Sequence, residues 1–220
     1  MADWNVISAL ATAGGTLVLA GASFASIRSA DRAALSADRA ALSAERALQA
    51  SLRPLLIGSR LEAPQQKLIW QDGHRAHLPG SAGYLRLTEG NLYLAASIRN
   101  IGPGLGVIHG WRFAPPETYQ NVAHPDPAEF RRQSRDLYIA PGDTGFWHAA
   151  IRDPEDPDHQ ALVEPVKNGE RVNIDLLYGD AEGGQRTISR FSLIRVDREQ
   201  EDRWICQMVR HWNVDRPDPR

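Results

Sequence analysis

No ionisable side chain occurs between Asp3 and Arg28. That run constrains the fold more than any other feature of the chain. Its 24 residues, Trp4 to Ile27, would make roughly 36 Å of helix, and a membrane's hydrocarbon core is about 30 Å thick. The large apolar residues are Val6, Ile7, Leu10, Leu17, Val18, Leu19, Phe24 and Ile27, set among Ala, Gly, Ser and Thr. Trp4 stands where an interfacial aromatic anchor is expected. Residues 1–27 are therefore expected to form a transmembrane helix. Two alternatives compete. A cleaved secretory signal could end at Ser23-Phe24-Ala25, but it wants basic residues ahead of its apolar run, and only Asp3 is charged there. A buried helix of a soluble domain is the other, and this run is long for one.

The basic residues set the expected orientation. None precedes the run, whereas Arg28, Arg32 and Arg39 follow it closely. By the positive-inside rule the N-terminus lies outside and the C-terminal domain in the cytoplasm of a single-pass membrane protein. With Cys206 as the only cysteine, no intrachain disulfide framework is available. Ala11 and Gly15, and Gly21 and Ala25, are small residues four apart, a spacing that lets helices approach closely in lipid.

From Ala30 the chain reads Ala-Asp-Arg-Ala-Ala-Leu-Ser twice, then Ala-Glu-Arg-Ala-Leu-Gln-Ala. These are strong helix formers without a Gly or Pro among them, so residues 28–53 are expected to extend the first helix as a stalk. Pro54 stops it, because the residue before a proline is pushed out of the helical region. Ile27, Ala30, Ala34, Ala37, Ala41, Ala44 and Leu48 alternate spacings of three and four, a coiled-coil seam with alanine at most core positions. Alanine buries little area, so this seam is weak by itself. It suits a homo-oligomer or a partner helix; a solvated single-helix spacer is the plainer alternative.

Composition changes at Arg53-Pro54. Five of the six tryptophans and all five tyrosines follow it, in short alternating runs divided by Gly, Pro, Asn and Asp. Strands are expected at residues 55–61, 67–70, 83–87, 92–99, 107–113, 145–152, 172–178 and 187–196, with residues 137–140 leading into a turn at Pro141-Gly142-Asp143. Residues 117–138 form a long polar excursion with a short helix expected at 127–134. Residues 153–159 look like an acidic loop. The run 203–214 fits a strand face and a helix face alike, and the preceding turn favours a hairpin. Residues 216–220 are expected to be a disordered tail. Many short strands without strand–helix alternation argue for an all-β antiparallel sandwich over 54–215.

Three stretches carry a resemblance. Ser97-Ile-Arg-Asn-Ile-Gly-Pro-Gly104, Ile139-Ala-Pro-Gly-Asp143 and Ile174-Asp-Leu-Leu-Tyr-Gly-Asp180 together resemble the immunoglobulin-like domains of uncharacterised bacterial membrane-anchored proteins. The resemblance covers about residues 97–194. It implies an immunoglobulin-like fold and carries no catalytic residues.

Signatures of chemistry are scarce. Gly102, Gly104 and Gly106 lead into strand-like Val107-Ile108, whereas a phosphate cradle needs a helix there. His74 and His77 supply at most two metal ligands, and the remaining histidines are scattered. The carboxylates of residues 153–159 lack the spacing and central glycine of a calcium loop. No nucleophile elbow occurs. No catalytic, cofactor or metal site is therefore expected. A net charge of −2 without a basic block argues against a nucleic-acid partner. Trp111, Tyr119, Arg131 and Trp147 are the residues for a partner-binding patch if they lie exposed. The expected function is a membrane-anchored, self-associating protein whose β-domain binds another protein. The alternatives are a small-ligand sensor or enzyme with a site near 117–138, and a secreted β-sandwich.

Overall fold

The computed structural model describes residues 4–120, 123–196 and 203–217, and gives only the backbone of residues 4–13, 17, 18, 20 and 25. Two compact units emerge, Met1–Leu48 and Gln49–Arg220. The first is one helix, α1 (Trp4–Ser51), unbroken through the apolar run and the repeats. Its described side chains from Gly14 to Ala50 all face solvent. Among the described residues no helix is long and apolar enough to cross a membrane. Of the described side chains up to Ile27, Leu19, Phe24 and Ile27 are large and apolar; Val6, Ile7, Leu10, Leu17 and Val18 lie outside the described side chains. Much of the expected span, with Ala11 and Ala25 of its small-residue pairs, lies outside the described side chains.

The second unit is rich in antiparallel sheet. Its strands are β1 (Leu56–Gly58), β2 (Gln66–Ile69), β3 (Arg75–Leu78), β4 (Ala82–Thr88), β5 (Asn91–Asn100), β6 (Gly106–Ala114), β7 (Arg131–Ile139), β8 (Thr144–Ile151), β9 (Val172–Gly179), β10 (Arg186–Arg195) and β11 (Trp204–Asn213). Nine of them form one sheet in the order β1-β5-β4-β11-β10-β9-β6-β7, with β8 on the other edge of β5. β2 and β3 pair separately and pack Leu68, Trp70 and Leu78 against Tyr84, Tyr93 and Ala95. The large sheet curls so that its inner residues share one core: Ile98, Ile108, Trp111, Trp147, Ile174, Leu176, Phe191 and Trp204 all belong to it. Edge-on contact between Trp111 of β6 and Trp147 of β8, with ring centroids 5.4 Å apart, brings the two ends of the sheet together across that core.

Asn100 explains why two of the quoted stretches accompany each other. It is fully buried, and all four of its amide hydrogen-bonding positions are used. Its Nδ2 donates to the carbonyls of Gly104 and Ile139, and its Oδ1 accepts from the backbone N–H of Leu55 and Gly102. Its backbone closes the same knot, exchanging bonds with Asp143 O and Gly142 N. The glycines of this region answer to packing: a Cβ on Gly104 would fall 1.6 Å from the Leu52 carbonyl.

Two elements depart from the expectations, and the ambiguous run 203–214 resolves to the strand of the favoured hairpin. Instead of a helix over 127–134 there is one 3-10 turn, Pro127–Glu129, capped by Asp126, and then β7. Pairing to β6 decides this stretch, overriding local preference. The acidic 153–159 loop runs into a helix, α2 (Pro157–Asn168). Asp156 is its N-cap, Pro157 its first residue and Gly169 its left-handed C-cap. Leu162 and Val166 reach the core, and His159 is buried with its Nε2 2.8 Å from Gly90 O. The run 203–214 is strand β11, paired to β10 through a bulge between Arg190 and Phe191.

Candidate functional site

β7 and β8 are the free ends of the curled sheet, and no backbone ladder joins them among the described residues. Side chains bridge the gap instead. The cause is a wide bulge in β7. Its Arg132 pairs with Gly110 and its Leu137 with Ile108, leaving Gln133, Ser134, Arg135 and Asp136 opposite the single residue His109. Bulges re-aim side chains and end regular pairing. Here they send Gln133 Nε2 to the carbonyl of His148 (2.9 Å) and Arg135 Nη2 to within 3.4 Å of His148 Nε2.

The opening between these strands is a cleft of about 440 Å³, bordered by Trp70, Trp111, Arg131, Arg132, Gln133, Arg135, His148 and Arg152. Trp70 is fixed by its indole N–H, which donates to Ala149 O at 2.9 Å. Arg131 lies 5.6 Å above the Trp111 ring and is held by both oxygens of Asp156 (2.6 Å each) and by Asp158 (2.8 Å). Arg152 is paired with Asp72 at 2.8 Å. Arg132 and Arg135 are exposed, and neither is paired with a carboxylate among the described residues. The cleft therefore carries two offset and two uncompensated guanidinium groups.

Its buried groups are incompletely bonded. His148 Nδ1 and Gln133 Oε1 have no hydrogen-bond partner although each atom is buried. Such atoms are uncommon in folded proteins, and two of them belong to residues that border this opening. The tautomer of His148 follows from its neighbour. A guanidinium only donates, so the 3.4 Å contact is a hydrogen bond in the tautomer whose Nε2 accepts and whose ring proton sits on Nδ1. Burial, and secondarily Arg135, hold the His148 pKa down at about 4, so the ring is neutral near pH 7. His148 thus offers one unused N–H.

A second cleft, of about 530 Å³, lies on the outer face of the sheet beside residues 116–120. There Arg190 and Asp175, both buried, form a two-point pair at 2.7 and 2.8 Å, and Arg190 Nη1 donates to Thr118 O at 2.7 Å. Arg190 also sits 5.2 Å above Trp212. Phe130 closes this side by packing on Leu177, Ile188 and Trp212. These bonds tether both ends of the polar excursion.

Trp111 and Arg131 come together at the β7–β8 opening, with Trp147 behind them. Trp111 and Trp147 are buried, so they are not an exposed pair. Tyr119 belongs to the other cleft, where Arg171 stacks on its ring at 4.8 Å. Ile27, Ala30, Ala34, Ala37, Ala41, Ala44 and Leu48 form an exposed line on α1. Gln133, Arg135, His148 and Arg152 escaped the sequence reading. The nearest signal was the run Arg131-Arg132-Gln133-Ser134-Arg135, which looked like part of a solvated excursion.

Among the described residues no cluster of three or more His, Cys, Asp or Glu could hold a metal ion. Cys206 is buried, and desolvation pushes its thiol up to about 12, far from a reactive thiolate. No protein-family model, curated protein or solved structure matches this chain.

Proposed function

We propose that this chain is a membrane-anchored, self-associating binding protein: α1 holds it at a bilayer and brings copies together, and the β-domain recognises a ligand or partner without transforming it. The observation that carries this reading is the long exposed helix with apolar residues along it. Leu19 is 69 % exposed and Phe24 64 %, and Leu35, Leu42 and Leu48 recur beyond them. Exposed large residues repeating along one helix seek lipid or another helix. The basic residues just past Ile27 support a cytoplasmic β-domain. The immunoglobulin-like reading of residues 97–194 stays part of this proposal, supported by the quoted stretches on β5, the β7–β8 turn and β9.

The test is the mass of the full chain in mild detergent, beside an Ala37→Asp, Ala41→Asp variant. The wild-type chain is expected to be oligomeric and the variant to dissociate, because two carboxylates per helix cannot be desolvated in a thin alanine seam. A monomer at micromolar concentration contradicts self-association.

A second reading, a small-ligand sensor near residues 117–138, is favoured by the two clefts that border this stretch. Both readings make the β-domain a binding module.

A further inference from the structure

We propose that the opening between β7 and β8 is a binding site for a small oxyanion, a carboxylate or phosphate group, carried by a ligand that fits its volume of about 440 Å³. The inference rests on reading the β-domain as a binding module and names what that module takes.

Three observations converge on it. The first is charge. Asp156 and Asp158 offset Arg131, and Asp72 offsets Arg152, which leaves Arg132 and Arg135 as the uncompensated cations. Guanidinium groups match the planar, multi-acceptor geometry of carboxylates and phosphates. The second is the unused donor. His148 is nine-tenths buried, and its Nδ1–H has no acceptor. An anion oxygen would supply that acceptor while Arg135 keeps the opposite ring nitrogen occupied. The third is construction. The β7 bulge costs a stretch of pairing with β6, and the sheet forgoes closure between β7 and β8. Such departures from regular pairing concentrate at functional sites. Gln133 Oε1, also unpartnered, would accept from a hydroxyl or amide of the same ligand.

The arginines already paired have a role in this arrangement. Arg131, held at three points and stacked on Trp111, and Arg152, held by Asp72, form stiff rims. Their carboxylates keep the site from being a general anion sink. The two unpaired guanidiniums and the ring N–H do the recognising.

The test uses the full chain in nonionic detergent, with citrate and inorganic phosphate as probes. Trp70 and Trp111 at the cleft wall give a fluorescence signal. Saturable binding is expected, above a sodium chloride control of equal ionic strength. Arg135→Gln should weaken it about tenfold or more, as loss of a charge-assisted hydrogen bond does. Arg132→Gln, on an exposed site, repeats the test should the first variant lower the melting temperature. Arg171→Gln, in the other cleft, should leave binding unchanged. Absence of saturable binding, or equal affinity in both cleft variants, overturns the proposal. Competition then locates the source of the oxyanion. Displacement of bound citrate by free phosphate alone assigns a soluble ligand, displacement by phosphatidate in mixed detergent micelles, with or without displacement by free phosphate, assigns a lipid headgroup, and displacement by neither overturns it. Failure here leaves the anchor and the self-association untouched, since those are read from membrane extraction and mass.

Discussion

Asn100 does at one position what a disulfide does elsewhere: it ties three separate stretches of chain at a single buried point. Its side chain cannot be shortened without orphaning two carbonyls and two N–H groups at once. Asn100→Ala is expected to cost about 3 kcal/mol or more, because each buried unsatisfied group carries its own desolvation penalty. Urea unfolding of the β-domain checks this. A loss under about 1 kcal/mol would mean that water replaces the amide. His148 makes a prediction about pH. Its pKa, about 4 in the folded chain, lies below the ordinary 6.5, so the unfolded chain takes up the proton first. The folded state is then progressively penalised as pH falls from about 6.5 towards about 4, and above that window His148 leaves stability independent of pH. Melting temperatures over that range should fall more steeply in the wild-type chain than in His148→Phe.

At the scale of elements, legibility followed packing. β4, β5, β6, β8, β9 and β10 were readable because β-branched, aromatic and leucine residues cluster between clear turn signals, and each strand takes the conformation its residues prefer. β7 was not readable. Arg131, Arg132, Gln133, Ser134, Arg135 and Asp136 have no apolar alternation, and only the neighbouring β6 makes them a strand. α2 was missed for a different reason. Its start signals were present in Asp156 and Pro157, but the acidic residues around them resembled a solvated loop. The candidate site inherits both failures: it is assembled from the unpatterned β7, whose Gln133 and Arg135 meet His148 15 and 13 residues away, and from Asp156 and Asp158 at the start of α2, which hold Arg131. Sequence reading could name Trp111 and Arg131 as interesting; it could not place them against β8. Phe130 is the element-scale test. It pins the end of the excursion to Leu177, Ile188 and Trp212. Phe130→Ala should lower stability by about 3 kcal/mol and raise hydrogen exchange in residues 115–130 above that of the core strands. Unchanged exchange there would show that the Arg190 bond to Thr118 suffices alone.

For the whole molecule, the account joins two units with different needs. The β-domain supplies its own packing: its aromatic residues are largely buried and its large sheet curls around a main core. The helix does not, since every described side chain from Gly14 to Ala50 is exposed. Its repeats are strong helix formers, but the helix has no tertiary packing of its own along the described side chains. In the proposed function, lipid would cover the apolar run and further copies would cover the alanine seam. The most direct measurement is extraction of cell membranes with alkaline carbonate, comparing the full chain with one lacking residues 2–27. The account predicts that the full chain stays in the membrane pellet while the shortened chain is released. Release of the full chain by carbonate would contradict the anchor, and with it the central claim.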